Sequence, residues 1–209
     1  MVAYDTTELE KFIHSEYETQ RHSLGWGLLY TPRSTLATAR TVFMGLNPGG
    51  STYIKPQFSS ELGSSYTEET WGSYIKGGAP LQLQVRKLFE ILDENPANVL
   101  SGNLVPFRSR NWASLENKEA SLKTAEKVWR PILQSRSFRI VTMGKVAESS
   151  LVSMLAAEPT HVVETGWGNV KARFYKYDTG SLCCLPHLSR YKIFNRGKSN
   201  NLEAALREM

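Results

Sequence analysis

A chain of 209 residues with 41% hydrophobic and 22% charged side chains has the make-up of a folded protein with one sizeable core, so a single domain over residues 1–209 is expected and global disorder is excluded. No apolar stretch approaches the length of a membrane span, and the charged opening MVAYDTTELEKFIHSEYETQR lacks the apolar segment of a signal peptide, so a cytoplasmic location is expected. A formal net charge of +5 admits nucleic acid as a partner without establishing it.

In chain order, residues 6–20 read as a helix. The run TVFMGL (41–46) has strand length and little alternation, and it leaves through NPGGSTYIKPQF. An insertion-like segment rich in Gly, Ser and aromatics follows, from Ser51 to Pro80. LQLQVRKLFEILDE (81–94) carries its apolar residues at helical spacing, and NVLSGNLV (98–105) is a second strand-like run that exits through NLVPFRSRNW. KEASLKTAEKVWRPILQS (118–135) is helical in pattern as far as Pro131. RIVTMG (139–144) is a third strand, with GKVAES as its exit loop. VKARFYKYD (170–178) alternates apolar and polar residues before Thr-Gly-Ser, which predicts a hairpin with the last strand, SLCCLP (181–186), whose exit reads HLSRYKIFNRGK. Short apolar strands separated by helices imply an α/β fold: a three-layer α/β/α sandwich around a central, mainly parallel four-stranded sheet. Cys183 and Cys184 are adjacent inside an apolar run and match no redox, zinc or iron–sulfur spacing, so they read as core.

In an open α/β sheet ligands bind at the carboxyl ends of the strands, which directs attention to the four exit loops. Two nucleotide motifs are rejected there. Asn47 stands where a dinucleotide fingerprint needs its second glycine; Arg139 and Val146 break the P-loop pattern around Gly144-Lys145. Gly49 and Gly50 offer close backbone approach and free N–H groups, to which Ser51 and Thr52 add hydroxyls, a suitable set for a phosphate. Pro48 biases Asn47 toward an extended conformation that points its amide at the strand end; the alternative is a tight turn in which Asn47 merely caps backbone groups. Asn103 closes the second strand with another carboxamide, whose adjacent donor and acceptor suit the edge of a pyrimidine. His187 occupies the same position after the last strand, whereas His14, His22 and His161 read as structural or solvated.

These motifs resemble the uracil-DNA glycosylase superfamily. Gly45-Leu46-Asn47-Pro48-Gly49 is similar to the Gly-x-Asn-Pro-Gly form of its mismatch-specific and single-strand-selective branches, and Asn103 matches its pyrimidine-reading Asn. Met143-Gly144-Lys145-Val146-Ala147 resembles its Trp-Gly-Lys-x-Ala segment, and His187-Leu188-Ser189-Arg190 stands where His-Pro-Ser-Pro occurs, both prolines being replaced. The ordered match spans residues 41 to 194. The resemblance implies a monofunctional DNA glycosylase that flips a pyrimidine and leaves an abasic site. Asn47 would hold the attacking water, and a neutral His187 would donate to the departing base. Asn103 would bind the base edge, with Phe58 stacking on its face and Tyr53, Tyr66 and Trp71 as competitors for that role. Gly49 replaces the tyrosine with which the strictly uracil-specific branch blocks bulk at pyrimidine C5, so the expected substrate is either uracil or a 5-modified pyrimidine, the latter including hypermodified cytosine of phage DNA in antiviral defence. Gly50, Ser51, Thr52, Ser189, Arg190, Tyr191 and Lys192 would contact DNA, with Tyr191 or Leu188 as wedge and Arg108, Arg110, Arg196 and Lys198 extending the basic surface. No metal or cofactor is implied, the iron–sulfur branches needing four cysteines where this chain has two. DNA is the expected partner of a monomer with no obligatory protein partner. A non-catalytic DNA-binding protein and a small-nucleotide hydrolase are the rival readings.

Overall fold

The computed structural model describes residues 5–209. Its first helix, α1 (Thr6–Thr19), is started by Asp5, whose carboxylate accepts from the N–H groups of Thr7 and Glu8 at 3.0 and 3.2 Å. After the short α2 (Thr35–Thr38), the first strand β1 (Thr41–Gly45) is buried at every position. The insertion carries one turn of helix, α3 (Ser65–Glu68), and is tied to α4 (Pro80–Ile91) by the fully buried Gln82. That side chain accepts from Ala79 N–H and donates to the carbonyls of Ser65 and Glu69, all at 2.9 Å. Strand β2 (Leu100–Asn103), helix α5 (Lys118–Gln134) and strand β3 (Arg139–Met143) follow.

Pro131 does not end α5. It removes one N–H donor in the last turn, but Val128, Trp129, Ile132 and Leu133 are all buried along one face, and that packing carries the helix on to Gln134. Beyond β3 the expected exit loop is also helical. Gly144, at φ +89, turns the chain directly into α6 (Lys145–Leu155).

The sheet has six strands rather than four. The additional strands are the expected β5 (Val170–Tyr177), antiparallel to β6 (Gly180–Leu185), and an unexpected β4 (Glu158–Trp167) paired outside it. The order is β2-β1-β3-β6-β5-β4, with the first four parallel. β4 is mostly exposed, contains Pro159 and has register shifts at Pro159/His161 and Glu164/Trp167. At the opposite edge, residues 26–30 run beside β2: Tyr30 N–H donates to Ser101 O at 2.7 Å and Asn103 N–H to Leu28 O at 2.9 Å.

Alternate residues of the buried strands feed two cores. Val42, Met44, Ile140, Leu182 and Cys184 pack against α1, α5 and α6, while Phe43, Val141 and Cys183 pack against α4 and α7 (Asn200–Arg207). The three-layer α/β/α sandwich therefore forms, and the adjacent cysteines are core residues, one on each face. At the amino ends of the parallel strands, arginines complete the C-termini of helices. Arg136 donates to Leu36 O at 2.9 Å and to Ala37 O, and Arg139 donates to Leu92 O at 2.9 Å and to Glu94 at 2.8 Å. No described helix is long and apolar enough to cross a membrane.

Candidate functional site

A basin of about 960 Å³ lies at the amino ends of the strands between Arg40, Glu94, Arg136, Arg139, Lys176 and Asp178. Arg136 and Arg139 there are engaged with helix carbonyls and Glu94, so that basin is a structural seam. At the carboxyl ends, Asn103 is 3% exposed and its Nδ2 donates to Gly27 O at 3.5 Å, while Asn47 and His187 are half-buried.

Sheet register brings the first two motifs together. Gly45 pairs with Asn103, and a Cβ on Gly45 would stand 3.2 Å from Asn103 Oδ1, so the missing side chain lets the amide lie against β1. The ladder continues past both strands: Leu104 N–H donates to Gly45 O, Val105 N–H to Leu46 O, Ser109 N–H to Pro48 O and Gly50 N–H to Ser109 O, at 2.8–3.1 Å. The exits of β1 and β2 are thus one zipped unit. Trp129, fully buried, locks its base by donating Nε1–H to the carbonyls of Asn103 and Leu104, both at 3.0 Å.

Asn47 is oriented within that unit. Its Nδ2 donates to Ser109 Oγ at 2.8 Å and to the carbonyls of Pro48 and Phe107 at 3.2 and 3.3 Å. Carbonyls only accept, so the amide nitrogen must face them and Oδ1 must face away. Among the described residues Oδ1 has no donor, which leaves it available to a water. Gly50 N–H is already bonded to Ser109 O, so the expected pair of free loop amides is reduced to Gly49 N–H, which has no acceptor among the described residues. Gly49 is exposed, and a Cβ there would meet nothing within 4 Å. Ser51, Thr52 and Tyr53 are exposed at the rim, Tyr53 at 61%.

His187 leaves β6 two strands from β1, about 10 Å at ordinary sheet spacing. Its ring leans back over the end of β3, where Cδ2 is 3.8 Å from the position a Cβ would take on Gly144. Ser189 N–H points at His187 Nδ1 from 3.3 Å and Ser189 Oγ lies 2.8 Å from it. An N–H can only donate, so Nδ1 is the acceptor and a neutral ring carries its proton on Nε2, where it is available as a donor. Burial, reinforced by Arg190, lowers the His187 pKa below its ordinary value and favours that neutral form. The following turn is closed by the N–H groups of Arg190 and Tyr191 on His187 O, at 2.9 and 3.1 Å.

Phe58 does not face these strand exits. It is 2% exposed, belongs to the core under α1 and α5, and lies beneath the Arg33 guanidinium at 5.1 Å. Leu29 N–H bonds to Phe58 O at 2.9 Å, which ties that part of the insertion to the covered edge of β2. The aromatic that stands beside Asn103 is Tyr30. Burial raises its pKa and interaction with the Asn103 amide opposes the rise. Tyr30 packs against Tyr66 at 5.7 Å and Trp71 at 6.0 Å, and Glu69 anchors this wall by accepting from Trp71 Nε1 at 2.6 Å. Tyr66 is 1% exposed, between Phe43 and Phe89, which makes it support rather than surface. The five-residue apolar run WGLLY between Gly25 and Pro32 was the signal in the sequence for this edge segment.

The basic exit loop is partly as expected. Ser189, Arg190 and Lys192 are exposed, but Leu188 is 1% exposed in the core and cannot act as a wedge. Tyr191 stands edge-on to Trp167 at 6.0 Å, Arg196 covers Trp167 at 4.5 Å, and Trp167 donates Nε1–H to Lys192 O at 2.9 Å. The tip of the β4–β5 hairpin therefore holds the loop from behind. Of the remaining histidines, His22 stacks on Phe107 at 4.3 Å, His161 on Phe174 at 4.5 Å, and His14 accepts from Trp26 Nε1 at 3.4 Å.

No protein-family model matches the chain, and no curated protein matches it.

Proposed function

We propose that the chain is a monofunctional DNA glycosylase of the kind the uracil-DNA glycosylase superfamily comprises, hydrolysing the N-glycosidic bond of a flipped pyrimidine. The observation that carries this reading is the fixed Asn47 amide, with three acceptors around Nδ2 and Oδ1 left free at a strand exit. A water donating to Oδ1 is positioned for attack on the anomeric carbon, and the proton it sheds as the sugar hydroxyl forms passes to solvent. An amide does not ionise near neutrality, so the contribution is positioning of a weak nucleophile before an oxocarbenium-like sugar. As the C–N bond breaks, its electron pair leaves with the base, and the Nε2–H of neutral His187 stabilises the resulting anion at the pyrimidine O2. The base must leave the stack to reach these groups. Asn103 reads its edge, with Tyr30 in place of Phe58 as the neighbouring ring.

The substrate is uracil or a pyrimidine with bulk at C5. The open space at Gly49 supports the second, and with it a role in removing hypermodified cytosine from phage DNA. The test is base release by the purified chain and by Asn47→Ala, on uracil-containing DNA and on DNA with bulky 5-modified cytosines. Alkali-labile sites formed by the parent and not by Asn47→Ala support the reading. DNA binding with no base release from either substrate returns the chain to the class of binding modules.

A further inference from the structure

Beside the Asn47 loop, a recess of about 230 Å³ is walled by His22, Ser51, Arg108, Ser109, Arg110 and Ser114, with Glu116 its one acid. It is smaller than the pockets of drug-sized ligands, which begin near about 300 Å³. Arg108 distinguishes it. The side chain is half-buried and its Nε is shielded from solvent without a partner. Among the described residues none of its side-chain nitrogens makes a hydrogen bond or ion pair. Its guanidinium lies flat on Gly50, so closely that a Cβ there would fall 1.9 Å from Nη2. An unpaired, partly desolvated guanidinium is costly to hold. Arg136 also has a shielded Nε without a partner, but its Nη groups donate to the carbonyls of Leu36 and Ala37, whereas the Nη groups of Arg108 have no protein acceptor among the described residues and are left for solvent or an added anion.

We propose that this recess is a phosphate subsite, in which Arg108, assisted by Arg110 and the Ser51 hydroxyl, binds one backbone phosphate next to the nucleotide whose base enters the crevice. The position argues for that phosphate. Ser51 follows directly on the Asn47–Gly50 turn, and Ser109, next to Arg108, is the residue that holds the Asn47 amide. An anion bound here lies on the same strand as the reacting sugar. A forked guanidinium matches two phosphate oxygens, and the hydroxyl adds a donor. Two arginines against Glu116, which forms no ion pair among the described residues, leave the recess positive.

The subsite rests on the glycosylase reading for its ligand, so its test requires no turnover. The full chain is titrated by fluorescence anisotropy, over a series of salt concentrations, with DNA carrying a tetrahydrofuran abasic analogue. R108Q is expected to weaken binding about tenfold and to make the log–log salt slope shallower by about one. A neutral methylphosphonate at one flanking phosphate should cost the parent as much and R108Q nothing, a coupling that a merely structural residue would not give. R108Q should melt no lower than the parent, because an unpaired charge has been removed. Should R108Q fail to fold, the Nε resonance of Arg108 in the parent replaces it, and is expected to shift with unmodified DNA and not with the methylphosphonate. An unchanged salt slope in R108Q, or equal methylphosphonate losses in both proteins at every flanking position, overturns the subsite. If the parent binds no DNA, the glycosylase reading falls separately, and inorganic phosphate decides the rest: a shift of the Arg108 Nε resonance keeps the anion site for another phosphorylated ligand, and no shift overturns it.

Discussion

Ser109 holds Asn47. Its Oγ accepts from Asn47 Nδ2 at 2.8 Å while donating to Asn111 O at 2.9 Å, so the hydroxyl hydrogen is committed and a lone pair is presented to the amide. The Pro48 and Phe107 carbonyls set which way the amide faces, and Ser109 supplies the shortest of its three contacts, so the catalytic role proposed for Asn47 draws on this pairing for its precision. Ser109→Ala is expected to slow base release about tenfold and to lower stability by about 1–3 kcal/mol for the two part-buried hydrogen bonds it removes. Asn47→Ala should lose about a hundredfold or more with little change in DNA affinity. Single-turnover rates beside anisotropy titrations check both; equal losses in the two variants would mean that Ser109 does more than orient the amide.

Protonation of His187 has a definite sign. Its folded pKa lies below the ordinary value near 6.5, so above that value both folded and unfolded chains carry neutral imidazole and the group costs nothing. As pH falls from about 6.5 toward the lower folded value, the unfolded chain takes up the proton first and stability falls. His22, also lowered by burial although Glu116 opposes the shift, acts in the same direction. Thermal melts of the parent and of His187→Gln over this window should show the smaller acid loss in the variant. The same substitution should reduce base release about a hundredfold or more at neutral pH, by removing the donor to the leaving base.

Gly49 and Gly50 are adjacent and should respond in opposite ways. Gly49→Tyr projects into open space, so the protein should fold normally, retain uracil release and lose bases bulky at C5. Gly50→Ala forces a side chain onto Arg108 at a φ of +130, and should lower stability by about 1–3 kcal/mol. Melting temperatures with release rates on both DNA substrates separate the two effects. Unchanged release of bulky bases by Gly49→Tyr would remove the argument for a roomy pocket.

Trp129 lies under β2 on α5, yet its Nε1–H serves the two carbonyls that set the exit of that strand. Trp129→Phe keeps most of the apolar ring and leaves both carbonyls without that donor. A loss of about 1–3 kcal/mol is expected, together with weaker discrimination between uracil and cytosine edges as the Asn103 segment loosens. The first is read from chemical denaturation, and the second from release rates on matched substrates.

The parallel strands were legible because burial on both faces leaves apolar runs with no alternation, as TVFMG and RIVTM show. The exits of those strands were legible with them, as the residues that follow each run; the register that sets Asn103 beside Gly45 was not. β4 was not: an edge strand with most of its residues in solvent reads as a polar loop. The start of α6 was hidden because Gly144 allows a turn with no intervening residues. Phe58 illustrates a different limit. An aromatic in a Gly- and Ser-rich insertion looks available for a ligand, and only its backbone bond to Leu29 reveals that it belongs to the core. Tyr30 escaped notice for the complementary reason, lying in an edge segment far in sequence from every motif it approaches.

The two borders of the sheet have a consequence beyond the site. One is occupied by residues 26–30, and the other ends in a strand interrupted by Pro159 and two register shifts. A second molecule arriving at either border would find no straight row of unpaired amides to copy. Many copies can therefore crowd together without templating fibrillar growth from chain to chain.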